Sequence, residues 1–241
     1  MKSLNYSLEY KKIEDEKIAY PVIIVAAGTA SRMKGIDKIG ASVCGLPVIC
    51  HTVLAFDRND NISQVVVVTR KEKIDEYTGL LDNCKLQKKI TVVEGGSCRE
   101  ESVYKGIKAL CGGHDKVVIH DGARPIVSNS VINRVCDALR SCDSVTCGVK
   151  MKDTVKTVNE DMQVVKTLQR EFLVSVQTPQ AVSVEKFAQS ANINDLSRFT
   201  DDTSVVEAVG CNTVVVEGDY KNIKITTPED IKLAEIYLSR N

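Results

Sequence analysis

The run Val65-Val66-Val67-Val68, inside a strand candidate at Gln64–Thr69, decides the fold class. An unbroken β-branched run is typical of a strand buried on both faces, as in a parallel sheet. Similar runs alternate along the chain with amphipathic stretches, at intervals of roughly 20–30 residues. This alternation predicts a single α/β domain with a mostly parallel, doubly wound sheet flanked by helices. Further strands are predicted at Val22–Ala26, Ile90–Glu94, Lys116–His120, Ser144–Val149 and Thr213–Glu217, and helices near Pro47–Phe56, Lys71–Leu81, Arg99–Leu110 and Ser130–Leu139.

The composition is that of an ordinary globular chain. It has 241 residues, 43% of them hydrophobic, and its 32 Lys and Arg balance 32 Asp and Glu. Disordered and collagen-like chains are therefore excluded. The balanced charge argues against a nucleic-acid partner bound by wholesale phosphate neutralisation, although it allows a local basic site. The apolar run Pro21–Ala27 is far below the roughly 20 residues that a membrane span requires.

The nine cysteines include no C-x-x-C pair. We interpret them as small, buried, reduced thiols rather than as metal ligands or a redox pair. The segment Met1–Ala19 is polar. It lacks the apolar core of a signal peptide, and its acids Glu9, Glu14, Asp15 and Glu16 are too many for a transit peptide. We therefore expect a cytoplasmic protein with an N-terminal extension at residues 1–20 and one domain at residues 21–241.

One segment, Lys152–Leu168, interrupts the alternation where a crossover helix is expected. Its β-branched residues surround the turn-like Asn159-Glu160-Asp161, which predicts a β-hairpin at about residues 152–170. An isolated hairpin is only marginally stable. The hairpin is therefore expected to pack against either the flank of its own domain or a second subunit.

Two strand-end loops carry phosphate-binding chemistry. The first strand ends in Ala26-Ala27-Gly28, whose backbone N–H groups can form an anion site, and Arg32 and Lys38 follow. This loop is neither a dinucleotide fingerprint nor a Walker A motif, and a tight turn with two solvated cations is the alternative. Asp121 begins a second loop, where a lone carboxylate suits Mg²⁺, with a capped turn as the alternative. We expect the adjacent His120 to pack or to form hydrogen bonds.

Three further motifs are compatible with the same site. Paired glycines at Gly95-Gly96 allow a flat ring to approach closely, although Ser97 and Glu100 also fit a capping box. The motif Thr200-Asp201-Asp202 is typical of a helix cap. Lys224 is expected to point away from its two isoleucine neighbours, before a cap with Pro228 at the first helical position. One edge of the sheet thus gathers phosphate-binding cations and one metal-binding carboxylate: Arg32, Lys38, Asp121, Arg124 and Lys224. This set suits nucleotidyl transfer, which needs charge neutralisation and in-line positioning.

The ordered motifs A-A-G-x-x-x-R-M, G-G-x-x-R-x-x-S-V, H-D-G-A-R-P, D-T-V-K, Q-T-P-Q, T-D-D and N-I-K-I-T-x-P-E-D resemble the 2-C-methyl-D-erythritol 4-phosphate cytidylyltransferase family, from about Pro21 to Leu238. The resemblance implies a Rossmann-like nucleotidyltransferase sheet with a protruding β-arm exchanged across a homodimer. It also implies Mg²⁺-dependent transfer of CMP from CTP to methylerythritol phosphate. An acceptor such as ribitol 5-phosphate is the alternative.

The resemblance assigns roles by motif. The implied catalytic residues are Arg32, Lys38 and Lys224. The implied CTP-binding residues are Ala26, Ala27, Gly28, Gly95, Gly96, Ser102 and Asp121, of which Asp121 also binds the metal. The implied acceptor-binding residues are Thr178 and Thr200, with Thr154 and Arg170 of the partner subunit.

Two positions depart from the family pattern. Ala30 replaces a common glycine, and Asp37 replaces a common proline immediately before Lys38. We expect the acid to weaken the pull of Lys38 on phosphates and so to lower turnover. These departures also keep open a different class of protein, a catalytically inactive relative that serves as a binding or regulatory module.

Overall fold

A seven-stranded sheet organises the described part of the chain, which in this computed structural model comprises residues 18–28 and 37–239. The strands are β1 (Tyr20–Val25), β2 (Ser42–Val43), β3 (Leu46–Pro47), β4 (Ile62–Thr69), β5 (Ile90–Glu94), β6 (Lys116–Asp121), β7 (Ser144–Lys150), β8 (Lys156–Val158), β9 (Val164–Thr167), β10 (Val174–Ser183) and β11 (Val214–Glu217). The sheet order is β11-β7-β10-β6-β1-β4-β5, and β2-β3 and β8-β9 form two small hairpins.

Parallel pairing dominates, as predicted. β1 lies between β4 and β6, with Val22 opposite both Val65 and Val118. β10 is the exception, because it runs antiparallel between β6 and β7 and was absent from the sequence prediction. Pro179 interrupts its ladder, and the register shifts between Gln177 and Gln180. A proline inside a run argues against a central strand, which explains the omission.

The helices are α1 (Val48–Asp57), α2 (Ile74–Asp82), α3 (Arg99–Lys108), α4 (Asn129–Leu139), α5 (Val184–Ile193), α6 (Asp202–Glu207) and α7 (Pro228–Leu238). Short 3₁₀ helices lie at Lys71–Lys73, Arg170–Phe172 and Leu196–Arg198. The four predicted helices are confirmed to within a few residues. The predicted helix near Lys71–Leu81 combines a 3₁₀ turn with α2.

Both faces of the sheet are buried, which explains the unbroken valine run. Val65 and Val67 join a core cluster with α1, α2 and α4 on one face. Val66 and Val68 join a second cluster with α3, α5 and α6 on the other face. Because side chains alternate across a strand, a strand covered on both sides must be apolar at every position.

The predicted hairpin is present as β8 and β9, with Lys156 opposite Thr167. Every residue of both strands is exposed. The hairpin therefore does not bury a face against its own domain, and that alternative is wrong. We call residues 152–170 the arm; its packing on a second subunit stays a prediction.

All nine cysteines are free thiols, but only Cys50, Cys136 and Cys147 are buried. Burial raises the pKa of Cys136 and Cys147 to about 12. Cys44 and Cys111 are exposed, so the expectation of buried thiols holds for part of the set. Within residues 18–28 and 37–239, no helix is long and apolar enough to cross a membrane.

Candidate active site

A cleft of about 260 Å³ lies where the carboxyl ends of β1 and β6 meet the loops that follow them. Ligands bind at this edge of parallel sheets because separate strand-end loops converge there. Ala26 and Gly95 are buried beside the cleft rather than in its lining. Arg32 falls outside the described residues. The lining includes seven residues assigned from the sequence: Ala27, Gly28, Lys38, Gly96, Ser102, Asp121 and Lys224.

The glycine pair lets the loop after β5 approach β1 closely. A Cβ atom on Gly95 would lie 2.8 Å from both the Ala27 Cβ and the Ser102 Oγ. The Ser102 hydroxyl accepts a hydrogen bond from the Gly96 N–H (3.0 Å) and donates one to the Cys98 carbonyl (2.9 Å). The requirement for glycine at position 95 therefore comes from protein packing, and Ser102 holds the loop at the cleft wall.

The predicted capping box between Ser97 and Glu100 is wrong. The N-cap of α3 is Cys98, whose sulfur accepts from the Glu101 N–H at 3.4 Å. The Glu101 carboxylate accepts from the Ser97 N–H (2.8 Å) and hydroxyl (2.7 Å). Glu100 is buried instead, and burial raises the pKa of its carboxyl. The N-cap of α3 lies one residue later than the motif suggested, so the carboxylate that binds Ser97 is that of Glu101 rather than Glu100.

Asp121 is the electrostatic centre of the cleft. The Lys224 Nζ lies 2.9 Å from its Oδ2, the Arg124 Nε 3.3 Å from Oδ2, and the Arg99 Nη2 3.3 Å from Oδ1. Burial alone would raise the pKa of the Asp121 carboxyl, but these three cations hold the pKa well below its usual range. The carboxylate is therefore ionised at all physiological pH values.

Arg99 is a site residue that the sequence analysis did not assign. Its guanidinium donates to both carboxylate oxygens of Asp202 at 2.7 Å, while it also faces Asp121. Burial opposes the charged form, yet the two carboxylates raise the pKa of Arg99. The available signals were the arginine in G-G-x-x-R and the second acid in T-D-D. The capping prediction holds for Asp201, which accepts from the Ser204 N–H, whereas Asp202 binds Arg99.

Lys224 takes the orientation that its neighbours predicted. Ile225 is fully buried, and its N–H donates to the Ala123 carbonyl at 2.8 Å. Ile223 packs against the same small cluster. The intervening Lys224 side chain lines the cleft, and α7 then begins at Pro228 behind its Thr227 cap, as predicted.

His120 is a buried hydrogen-bonding residue, as expected. Its Nε2 lies 3.1 Å from the Arg124 carbonyl and its Nδ1 3.0 Å from the Thr178 Oγ1. Burial lowers the pKa of His120 to about 3, so the ring is neutral. Since Nε2 faces a carbonyl, it carries the proton, and Nδ1 accepts from Thr178. The Thr178 hydroxyl in turn accepts from the Asp121 N–H at 3.0 Å.

A second depression of about 410 Å³ adjoins the cleft and shares Arg99, Asp121 and Lys224 with it. Arg124, Thr178 and Thr200 also line this depression. Thr154 and Arg170 lie on the arm, outside both lining sets, and Arg170 donates to the Lys152 carbonyl. One edge of the sheet thus carries two adjacent cavities that meet at a single carboxylate and its cations.

The residues at this edge fit a magnesium ion only in company with a phosphate ligand. Among the described residues, no group of three or more His, Cys, Asp or Glu side chains could hold a metal. Asp121 is a single hard carboxylate at the cleft. Mg²⁺ is commonly bound by one or two carboxylates, with substrate phosphates and water completing its shell. Among residues 18–28 and 37–239, Asp121 therefore fits as the protein ligand.

Comparison with known proteins identifies the family. A family sequence model described as 2-C-methyl-D-erythritol 4-phosphate cytidylyltransferase (IspD) matches residues 20–240. The chain belongs to this family. A cytidylyltransferase of that name from Caldanaerobacter subterraneus subsp. tengcongensis is 38% identical over 223 residues, which are 90% of this chain and 98% of the relative. One from Dehalococcoides mccartyi is 38% identical over 226 residues, 94% and 98% of the two chains.

Solved cytidylyltransferase structures share the fold. The 4-diphosphocytidyl-2C-methyl-D-erythritol synthase of Anaerococcus prevotii matches with a TM-score of 0.82 and 33% identity, covering 93% of this chain and 97% of that one. The Francisella tularensis 2-C-methyl-D-erythritol 4-phosphate cytidylyltransferase matches with a TM-score of 0.76 and 29% identity, covering 91% and 99%. These matches confirm the predicted family and the predicted α/β fold with its mostly parallel sheet.

Proposed function

We propose that this protein transfers CMP from CTP to 2-C-methyl-D-erythritol 4-phosphate, giving 4-diphosphocytidyl-2-C-methyl-D-erythritol and pyrophosphate. The reaction belongs to the non-mevalonate (methylerythritol phosphate) route of isoprenoid precursor biosynthesis. Family membership supports the reaction, and one structural observation supports its location. That observation is the meeting of Lys224, Arg99 and Asp121 at the shared edge of two adjacent cavities.

The arrangement can perform nucleotidyl transfer without a covalent protein intermediate. CTP would occupy the cleft beside Gly28, Gly96 and Lys38, and the acceptor phosphate would occupy the depression beside Arg124 and Thr200. The attacking and leaving oxygens are then on opposite sides of the α-phosphate. Lys224, at the shared edge, would neutralise charge as it builds on that phosphate, and fixed cations of this kind contribute most in a water-poor site. Arg32 and Lys38 would act on the triphosphate.

We infer that Asp121 holds Mg²⁺ together with the nucleotide phosphates. The ion would supply positive charge that offsets the triphosphate. Asp121 already lies in the cleft in its ionised form, so no proton needs to leave before a metal binds. Three cations now surround this carboxylate, and the ion would compete with them for its oxygens.

We infer a homodimer formed through the arm. Val164 and Val165 on β9 and Phe172 in the following 3₁₀ helix are exposed, which leaves apolar surface that a second subunit can cover. Thr154 and Arg170 of the partner subunit would then approach the acceptor depression. A cytoplasmic location agrees with the nine free thiols, which suit a reducing compartment.

The decisive experiment is a coupled pyrophosphate assay across four nucleoside triphosphates and a panel of polyol phosphates. We expect pyrophosphate only with CTP, methylerythritol phosphate and Mg²⁺. Ribitol 5-phosphate, which the family names do not favour, should give little. Pyrophosphate from no pair would overturn the proposal, and CTP binding without turnover would identify a binding or regulatory module.

A further inference from the structure

Asp37 directly precedes Lys38, but its carboxylate is bound by α2 and by its own turn. The Tyr77 hydroxyl lies 3.1 Å and 3.2 Å from its two oxygens. The Lys73 Nζ lies 3.1 Å from Oδ2. Lys38 and Ile39 line the cleft, whereas Asp37 is absent from its lining. The Asp37 carboxylate therefore contacts other protein groups and does not line the cleft.

The same carboxylate closes the turn that carries Lys38. Its Oδ1 accepts from the N–H groups of Ile39 (3.2 Å) and Gly40 (3.3 Å), two and three residues along the chain. Such side-chain-to-backbone bonds fix a turn as a backbone hydrogen bond would. On the other side, the Ile39 carbonyl accepts from the Ile49 N–H at 3.0 Å, at the start of α1. The backbone around Lys38 is thus held by both helices.

The charge of Asp37 has a local counterion. Burial would raise the pKa of its carboxyl, but Lys73, the two turn N–H groups and Tyr77 lower that pKa. Tyr77 is 1% exposed, so its hydroxyl is fixed by the core behind it. Lys73 pairs with the Asp37 carboxylate while it also pairs with Glu76 at 2.5 Å. We call Asp37, Lys73 and Tyr77 the turn anchor.

We propose that Asp37 is a positioning residue: the turn anchor holds the Lys38 ammonium toward the triphosphate and raises turnover. This proposal rests on the proposed function for the identity of the ligand. It predicts the opposite sign from the sequence-based expectation, since removing the acid should lower activity rather than relieve Lys38.

The test is a double-mutant cycle between Asp37→Ala and Lys38→Ala, read as kcat and KM for CTP. Asp37→Ala alone should lower kcat by about 10- to 100-fold, as misplacement of a charge-stabilising group does. In the Lys38→Ala background the same change should cost less than about twofold, because the anchor acts through Lys38. Tyr77→Phe, which keeps the ring, should lower kcat by about three- to tenfold.

Asp75→Ala on the exposed side of α2 is the matched control and should leave kcat unchanged. A kcat at or above wild type for Asp37→Ala and Tyr77→Phe would overturn the proposal, as would an equal loss in both backgrounds. The same double-mutant cycle can be measured on the Kd for CTP by calorimetry, which reports the effect of the turn anchor on CTP binding independently of turnover. An inactive wild-type enzyme therefore rejects the proposed function, whereas additive Kd effects reject the anchor.

Discussion

Arg99 donates two hydrogen bonds of 2.7 Å to the carboxylate of Asp202, 103 residues further along the chain. Asp202 is fully buried at the first turn of α6, and burial raises the pKa of its carboxyl while Arg99 opposes that shift. The guanidinium also reaches Asp121 at the cleft. Because a bidentate pair fixes the plane of the guanidinium, Asp202 determines which edge of Arg99 faces the cleft.

Asp202→Ala should therefore destabilise the fold strongly. It leaves the largely buried Arg99 without its main partner, which typically costs about 3–5 kcal/mol of unfolding free energy. Ser183→Ala, which removes only the N-cap of α5, is the matched control and should cost about 1 kcal/mol. Urea unfolding followed by circular dichroism measures both. Equal losses would show that the pair contributes no more than the cap.

Lys224→Ala should lower kcat by about 10²-fold or more, as the loss of a charge-stabilising donor does. The same loss is expected for Arg32→Ala. Lys232→Ala on α7 removes an exposed lysine from the same C-terminal region and should leave kcat unchanged. The coupled pyrophosphate assay measures all three. A near-wild-type kcat for Lys224→Ala removes this residue from the proposed role.

Asp121→Asn should mainly weaken the response to magnesium. The amide keeps the size of the side chain but loses the charge, so the Mg²⁺ concentration for half-maximal rate should rise by about tenfold or more. Initial rates across a Mg²⁺ titration at saturating CTP provide the measurement. An unchanged titration curve would remove Asp121 from metal binding.

Gly96→Ala should damage the cleft wall. An added Cβ would lie 2.3 Å from the Glu101 Cβ, a distance that forces the loop to move. Such overpacking typically costs about 1–3 kcal/mol, and KM for CTP should rise because Ser102 bonds the same backbone. Gly113→Ala is the control, since its Cβ would meet open space. Equal KM values in the two variants would contradict the packing argument.

His120 should make stability fall as the solution becomes acidic. Its folded pKa of about 3 lies below the value of about 6.5 expected in the unfolded chain, so only the unfolded state takes up a proton between these values. From about pH 7 to about pH 5, this protonation costs about 2 kcal/mol of unfolding free energy. Urea titrations in EDTA should show this loss for wild type and not for His120→Asn. An equal loss in both proteins would assign it to other groups.

The strands that are buried on both faces of the sheet could be predicted from the sequence. The valine run of β4 and the apolar runs of β1 and β6 identified parallel strands because every position is covered by a helix layer. β10 was not predictable in the same way. Its Pro179 and its polar residues Gln177 and Gln180 are untypical of a central strand. Gln177 donates to the Asp219 carbonyl and Gln180 to the Asp201 carboxylate.

The sequence predicted many of the residues that lie at the candidate site, but it did not predict which side chains contact one another there. The glycines, Asp121 and Lys224 stand at strand ends, which the alternation of elements locates. The contacts of Arg99 with Asp202 and of Asp37 with Tyr77 were not predicted. Each of these contacts joins segments that are distant in the chain, and no local sequence pattern predicts such a contact.

The chain by itself therefore determined the layer architecture, the family and the residue types at the candidate site, because periodicity and strand-end motifs are local properties. Tertiary structure alone decided which carboxylate neutralises which cation. Asp37 pairs with Lys73, and Asp202 binds Arg99 besides starting a helix. The physical reason is that the strength and direction of an ion pair depend on distance and burial, and both are set only when remote segments pack together.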